Sequence, residues 1–164
     1  MSNINMSKEH IENARMLIRQ FHNILPVKVG SIASKLGVKV KISTLPTGIS
    51  GEIKKEDNTY IIKVNRHDVK ERQRFTIAHE IGHFILHKEM IGDGIVDDAL
   101  YRSKLSDRLE AEANKFAAEI LMPWDLIKSK IEEFRDLKNE ELYEALSKEF
   151  EVSTTAIKIR LGKL

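Results

Sequence analysis

The 164-residue chain contains no cysteine. A disulfide framework is therefore excluded, a reducing compartment is the simplest expectation, and any transition-metal site has to be built from His, Asp or Glu. No apolar run approaches the ~18 residues that a membrane span requires. The N-terminal stretch MSNINMSKEH is polar and lacks the apolar segment of a secretory signal. The sequence thus predicts a cytoplasmic protein with no membrane partner. An excess of one charge is missing too. The 27 Lys and Arg nearly balance 25 Asp and Glu, the net charge is +2, and the cations are spread along the chain. Direct nucleic-acid binding is not expected from such a distribution. Internal repeats and low-complexity segments are absent as well. What remains is an ordinary globular composition, 41% hydrophobic and 32% charged, in a chain long enough to bury a core without disulfide or metal staples.

The hydrophobic pattern divides the chain into elements. Residues 9–25 carry Ile11, Ala14, Leu17, Ile18, Phe21, Ile24 and Leu25 at helical spacing, and Pro26 closes that segment. Val29, Ile32, Ala33 and Leu36 form a shorter helical face with Gly37 placed to cap it. The period then changes to two: Val38, Val40 and Ile42 alternate with Lys39 and Lys41, as in a half-buried strand. Residues 49–54 and 59–64 flank the turn-prone pair Asp57-Asn58 and predict a hairpin. Asp68 followed by Glu71 fits a capping box for a long helix over about 69–87. Residues 88–104 read as an irregular surface loop. A further helix is expected over about 106–121, ending before Pro123. Two more, over about 139–150 and 153–162, are joined by a tight turn at Glu151-Val152-Ser153. The expected fold class is α+β: a small, mainly antiparallel three-stranded sheet with flanking helices. Residues 1–137 would form the main domain, and 138–164 a helix-turn-helix-like tail packed on it.

Chemistry concentrates in His79-Glu80-Ile81-Gly82-His83, an H-E-x-x-H segment. Residues four apart on a helix share one face, so two imidazoles converge on one ion, and the intervening glutamate stands beside them as a general base. The surrounding helix strengthens the case. Phe75, Ala78, Ile81, Gly82, Ile85 and Leu86 cover one broad side, and Ile77 and Phe84 make the opposite side apolar too. Thr76, His79, Glu80, His83 and His87 are confined to a wedge of roughly 100°. Such a helix is buried, and its polar wedge needs partners inside the protein. A metal supplies them. His87 lies eight residues from His79, about 12 Å along the axis at 1.5 Å per residue. One ion cannot easily reach both, which makes His87 a structural residue.

Two histidines call for a third protein ligand and an open position. On the helix over 106–121, Leu109, Ala113, Phe116, Ala117, Ile120 and Leu121 define the buried stripe. Glu110 shares a face with Ala117 and Leu121. Glu112 and Glu119 lie opposite, with Arg108 and Lys115. An inward carboxylate without a partner is costly, so Glu110 is the expected ligand and Glu112 the second choice. Asn114, one turn beyond Glu110, is placed to hydrogen-bond the free nitrogen of a ligand histidine. Two histidines and a carboxylate make zinc the default cofactor, while the order of affinities leaves manganese or iron open.

Two runs carry a resemblance. Residues Arg74-Phe75-Thr76-Ile77-Ala78 leading into the H-E-x-x-H segment, and Glu110-Ala111-Glu112-Ala113-Asn114-Lys115-Phe116-Ala117-Ala118-Glu119-Ile120-Leu121-Met122-Pro123, resemble the ImmA/IrrE family of bacterial metallopeptidases. The order of elements is similar too. The resemblance implies His79, His83 and Glu110 as metal ligands, in agreement with the helix-face argument. It also implies a gluzincin pattern, E-x-x-x-D, whose last position is Asn114 here, an amide where the pattern has a carboxylate. The substrate it implies is a protein, a DNA-binding repressor of the helix-turn-helix type, cut at a specific site so that mobile-element or stress genes are derepressed.

In the expected mechanism Glu80 accepts a proton from water and returns it to the leaving amine. Tyr101, Tyr60, His67 and Arg102 are candidates for stabilising the oxyanion. A strand edge within 49–54, with Gly48 and Gly51 permitting close approach, would pair with an extended substrate. Three other readings compete. One is a DNA- or repressor-binding regulator whose second C-terminal helix presents Lys158, Arg160 and Lys163. Another is a metal-stabilised scaffold that binds without cutting. The last is a peptidase toxin of a toxin–antitoxin pair.

Overall fold

Strand β1 (Val38–Ser43) leads into a hairpin of β2 (Ile49–Glu56) and β3 (Thr59–Asn65) in the computed structural model, which describes residues 2–98 and 106–164. The hairpin turn is Asp57-Asn58, with φ of +46° and +66°, the positive-φ pair that a two-residue turn demands and that short polar side chains tolerate. Antiparallel pairing runs from Gly51↔Val64 to Glu56↔Thr59.

The sheet departs from the expected three mainly antiparallel strands. It has four, in the order β1-β3-β2-β4, where β4 is Ile95–Asp98. β1 pairs with β3 in parallel, from Val38↔Tyr60 to Ser43↔Asn65. β4 pairs antiparallel with β2, across an irregularity between Ile49 and Gly51. The expected loop over 88–104 therefore holds a 3₁₀ turn at Lys88–Met90 and then β4, and residues 99–105 of it lie outside the described ones. The edge strand expected within 49–54 is corrected as well. β2 is flanked on both sides, by β3 and β4, so its backbone cannot take an added strand. Its glycine serves packing instead. A Cβ on Gly51 would lie 2.8 Å from the Lys63 carbonyl oxygen and would collide with the Thr76 methyl.

Helices α1 (Ser2–Arg19), α2 (Val29–Lys35) and α3 (Lys70–Leu86) lie close to their expected places, although α1 stops well before Pro26. The cap of α3 differs from the expected capping box. Val69 holds the N-cap, without a side-chain hydrogen bond, and Asp68 buries an oxygen that has no hydrogen-bond partner among the described residues. α4 (Asp107–Leu121) opens on Ser106, whose hydroxyl accepts from the Leu109 amide, a normal N-cap. Pro123 both ends α4 and starts α5 (Trp124–Glu133), an element absent from the expected order. The C-terminal pair is α6 (Glu140–Phe150) and α7 (Thr154–Arg160).

One hydrophobic core joins these elements. Ile53, Ile62 and Val64 of the sheet, Ile81 of α3, Phe116 and Ile120 of α4, and Leu146, Phe150 and Ile157 of the C-terminal pair belong to the same buried cluster. The turn between α6 and α7 is also hooked onto α3. Arg74 Nε donates to the Glu151 carbonyl at 3.2 Å, and Lys70 Nζ donates to the Glu151 carboxylate at 3.1 Å. Above α3, Arg72 ties two strands to the helix through Ser50 Oγ at 3.0 Å and Asp97 Oδ2 at 3.1 Å.

Candidate metal centre

Seven of the eight positions of α3 from Thr76 through His83, all but Ile77, are buried, because the sheet lies on one side of the helix and α4 on the other. The close approach of α4 depends on Gly82. A Cβ there would stand 3.1 Å from the Ala113 carbonyl oxygen and 3.2 Å from Ala113 Cα, both backbone atoms of α4. This contact brings the first turn of α4, and with it Glu110, over the two histidines. Gly82→Val forces the helices apart. The expected cost is about 1–3 kcal/mol, or roughly 2–4 °C of melting temperature per kcal/mol in a chain of this size. A melting curve superimposable on the wild type would show that α4 does not depend on this glycine.

His79, His83 and Glu110 come together, each offering a ligand atom within 4.8 Å of the others. The two Nε2 atoms are 3.1 Å apart. Glu110 Oε2 lies 3.2 Å from His79 Nε2, and Oε1 lies 3.1 Å from His83 Nε2. Donors around a tetrahedral ion with bonds of about 2.0–2.1 Å stand about 3.3 Å from one another, so the triangle fits such an ion. Glu110 keeps 27% of its side chain exposed while the histidines are buried, which leaves one side of the triangle open to solvent.

Each histidine is oriented from behind. Asn114 Oδ1 sits 2.8 Å from His79 Nδ1, which places an N–H on that nitrogen and a lone pair on Nε2. His83 Nδ1 lies 2.9 Å from His87 Nδ1, and His87 Nε2 lies 2.8 Å from Glu112 Oε2. A proton on each nitrogen facing outward along this chain, His83 Nδ1 and His87 Nε2, again leaves the lone pair of His83 Nε2 directed at the triangle. The role of His87 is more than structural filling, and the sequence signal for it was its position one turn after His83. Glu112, the second choice as ligand, is not in the triangle.

Glu80 is a buried carboxylate without a hydrogen-bond partner on either oxygen among the described residues. Its side chain has no solvent exposure. Burial pushes its carboxyl well above the usual range, and the negative neighbours Asp97, Glu110 and Glu52 push it further. A buried carboxylate in this position requires a nearby positive charge, and the adjacent donor triangle is where one would be held. Burial likewise lowers the affinity of His83 for a proton, so that its neutral, ligating form is favoured. At Glu110 burial is the largest influence and opposes ionisation, yet the two imidazoles beside it, His79 and His83, together outweigh burial and hold the carboxyl well below the usual range.

Of the expected oxyanion stabilisers, the two that are described, Tyr60 and His67, are engaged elsewhere. Tyr101 and Arg102 lie outside the described residues. Tyr60 packs edge-on against Phe84, with ring centroids 5.0 Å apart. His67 sits in the β3–α3 turn, where its amide donates to Asn65 Oδ1.

Comparison with known proteins places this geometry in context. The family model for Peptidase M78, the IrrE N-terminal-like domain, matches residues 33–162. The radiation response metalloprotease IrrE of Deinococcus radiodurans is 41% identical over 76 residues, covering 45% of this chain and 23% of that protein. The metallopeptidase ImmA of Bacillus subtilis is 35% identical over 68 residues, covering 42% of this chain and 37% of that protein. The matched regions thus span well under half the length of these curated relatives. Among solved structures, a Mycobacterium tuberculosis transcriptional regulator superposes with a TM-score of 0.63 over 95% of this chain and 47% of its own, at 18% identity. That likeness is one of fold.

Proposed function

The chain belongs to the Peptidase M78 family of IrrE N-terminal-like metallopeptidases, and from that premise we propose that it is a zinc-dependent endopeptidase. Its substrate in this reading is a specific partner protein, a helix-turn-helix repressor, whose cleavage derepresses mobile-element or stress genes. The observation that carries the proposal is the convergence of His79, His83 and Glu110 beside the buried carboxylate of Glu80. His79 and His83 bind through Nε2 and Glu110 through its carboxylate, and two nitrogens with one oxygen suit zinc, with manganese the main competitor.

A divalent cation bound by these residues supplies Lewis acidity, which makes water more acidic and an amide carbonyl more electrophilic. The chain's own groups do the rest. Glu80 takes the proton of the attacking water on a carboxylate oxygen and delivers it to the leaving amine. Asn114 and His87 hold the imidazoles in register. β4, at the sheet edge that Arg72 fastens to α3, pairs with the backbone of an extended substrate.

The cations of α7 are already engaged. Lys158 pairs with Glu140 at 3.0 Å, and Arg160 donates to the Met122 carbonyl at 3.0 Å while its guanidinium covers Trp124. Those contacts favour a peptidase over a regulator that reads DNA through this helix. Elemental analysis of the purified chain, followed by incubation with the product of a neighbouring repressor gene, tests the proposal. Equimolar zinc and a discrete cut are expected. Metal-free protein, or an intact repressor with metal present, would overturn it.

His87 provides a finer test. His87→Phe removes the partner of His83 Nδ1 and should weaken metal binding about 10–100-fold, read by competition with a chromophoric chelator. His87→Gln keeps an acceptor and should recover part of the loss. Equal affinity in all three proteins would reduce His87 to packing.

A further inference from the structure

A cleft of about 810 Å³ lies between α3, α4 and α7. Its walls are mostly apolar: Phe75 from α3, Ala118 from α4, and Val152, Ala156 and Ile159 from the C-terminal pair. It also reaches the metal centre, because two of its lining residues touch a ligand. Asn114 hydrogen-bonds His79 at 2.8 Å, and the Phe75 ring stacks on the His79 ring with centroids 6.3 Å apart. Two large apolar side chains of its lining are exposed, Val69 at 68% and Ile159 at 61%. Apolar residues so exposed in one cleft mark a surface that another molecule covers.

We infer that this cleft is a specificity subsite that takes a bulky apolar side chain of the protein substrate, next to the bond that is cut, and that α7 exists in this chain to form its far wall. The inference rests on the peptidase reading above. A polypeptide is the occupant because the proposed reaction acts on one, and the cleft begins at Phe75 and Asn114, the two lining residues in contact with His79. The cleft also explains how the C-terminal pair contributes to the site. Its turn is hooked to α3 through Arg74 and Glu151, which fixes the distance between the two walls. Ser147 and Ser153, two of the polar residues on that side beside Thr154, Thr155 and Arg160, spend their hydroxyls within the pair, Ser147 donating to the Val152 carbonyl and Ser153 accepting from the Ala156 amide.

The test uses two fluorescein-labelled decapeptide pools with identical flanks. One has Leu, Phe and Met at its variable positions and the other Ala, Gly and Ser. Cleavage sites and rates are read by mass spectrometry on the zinc-loaded protein, and binding is read separately by fluorescence polarisation on the Glu80→Gln protein. The wild type should prefer the bulky pool at least tenfold in kcat/KM, as a hydrophobic pocket does for several added carbons. Ala156→Trp on α7 and Ala118→Phe on α4 each fill the cleft from an opposite wall, and each should lower that ratio at least tenfold. Melting curves and metal content establish that the variants are folded and loaded, and two variants guard against one that fails to fold. No preference in the wild type, or a ratio unchanged in both folded variants, would overturn the subsite while leaving the peptidase reading intact. If no pool is cut yet the bulky pool binds and both substitutions weaken it, the cleft binds bulky apolar side chains but its place beside a scissile bond is overturned, and cleavage of the repressor decides the peptidase reading separately. Selective binding of neither pool sinks the subsite.

Discussion

Glu80→Gln is expected to lower the rate of substrate cleavage by about 10²–10⁴-fold, the usual contribution of a positioned general base, while the protein keeps its full complement of metal. The argument is one of placement. Glu80 lies between the two histidines in sequence, is fully buried, and has carboxylate oxygens without a hydrogen-bond partner among the described residues. It is not one of the three groups whose atoms form the donor triangle. Glutamine has nearly the same shape and can accept a hydrogen bond, but it cannot take up a proton near neutral pH. Binding and catalysis should therefore separate. Kinetics on the proposed repressor substrate, with metal quantified in the same samples, give the answer. Cleavage at the wild-type rate would remove Glu80 from the mechanism, and loss of the metal would recast it as a ligand.

The second large effect concerns the ligands themselves. His83→Ala, His79→Ala and Glu110→Ala should each release the metal under conditions where the wild type retains it and reduce cleavage to background. Chelation of the wild type should have the same effect, reversed on adding zinc back. Stability should follow. An ion present at 100 times its Kd stabilises the folded state by about 2.7 kcal/mol, which at roughly 2–4 °C per kcal/mol is about 5–11 °C of melting temperature. The zinc-dependent rise expected of the wild type should vanish in all three variants. A variant that keeps stoichiometric metal identifies a position outside the coordination sphere. If Glu110→Ala alone does so, the carboxylate is a neighbour of the ion and the site has only two protein ligands.

Much of this site was legible because it rests on helices. The expected spans 69–87 and 106–121 lie within a residue of α3 and α4, since a 3.6-residue period sustained over four turns is hard to mistake. The same period distinguished Glu110 from Glu112, and the structure places Glu110 at the histidines and Glu112 at His87. Failures came where tertiary neighbours decide. Alternation in Val38-Lys39-Val40-Lys41-Ile42 indicates a strand but not its partner, so the parallel pairing of β1 with β3 could not be read from it. β4 is four residues with two aspartates, weak strand formers held by pairing with β2 and by the Arg72 bond to Asp97. α5 begins immediately after a proline, which was read as a stop although proline is as much at home in a first helical turn. His87 was set aside because it is too far from His79 to share an ion. The shorter step from His83, one turn, was the relevant one.

The donors are unequally anchored. His79 and His83 stand in the middle of α3, packed on both sides, whereas Glu110 stands in the first turn of α4, beyond a serine cap whose bond is 3.4 Å long. Helix ends open at a small fraction of the free energy that unfolds a core. The expected arrangement is a hasp with one hinged half: an ion held there would be unlatched by swinging out a single turn while the fold stays shut. Exchange of such an ion with solution is therefore expected to be faster than global unfolding, with its rate set at the start of α4.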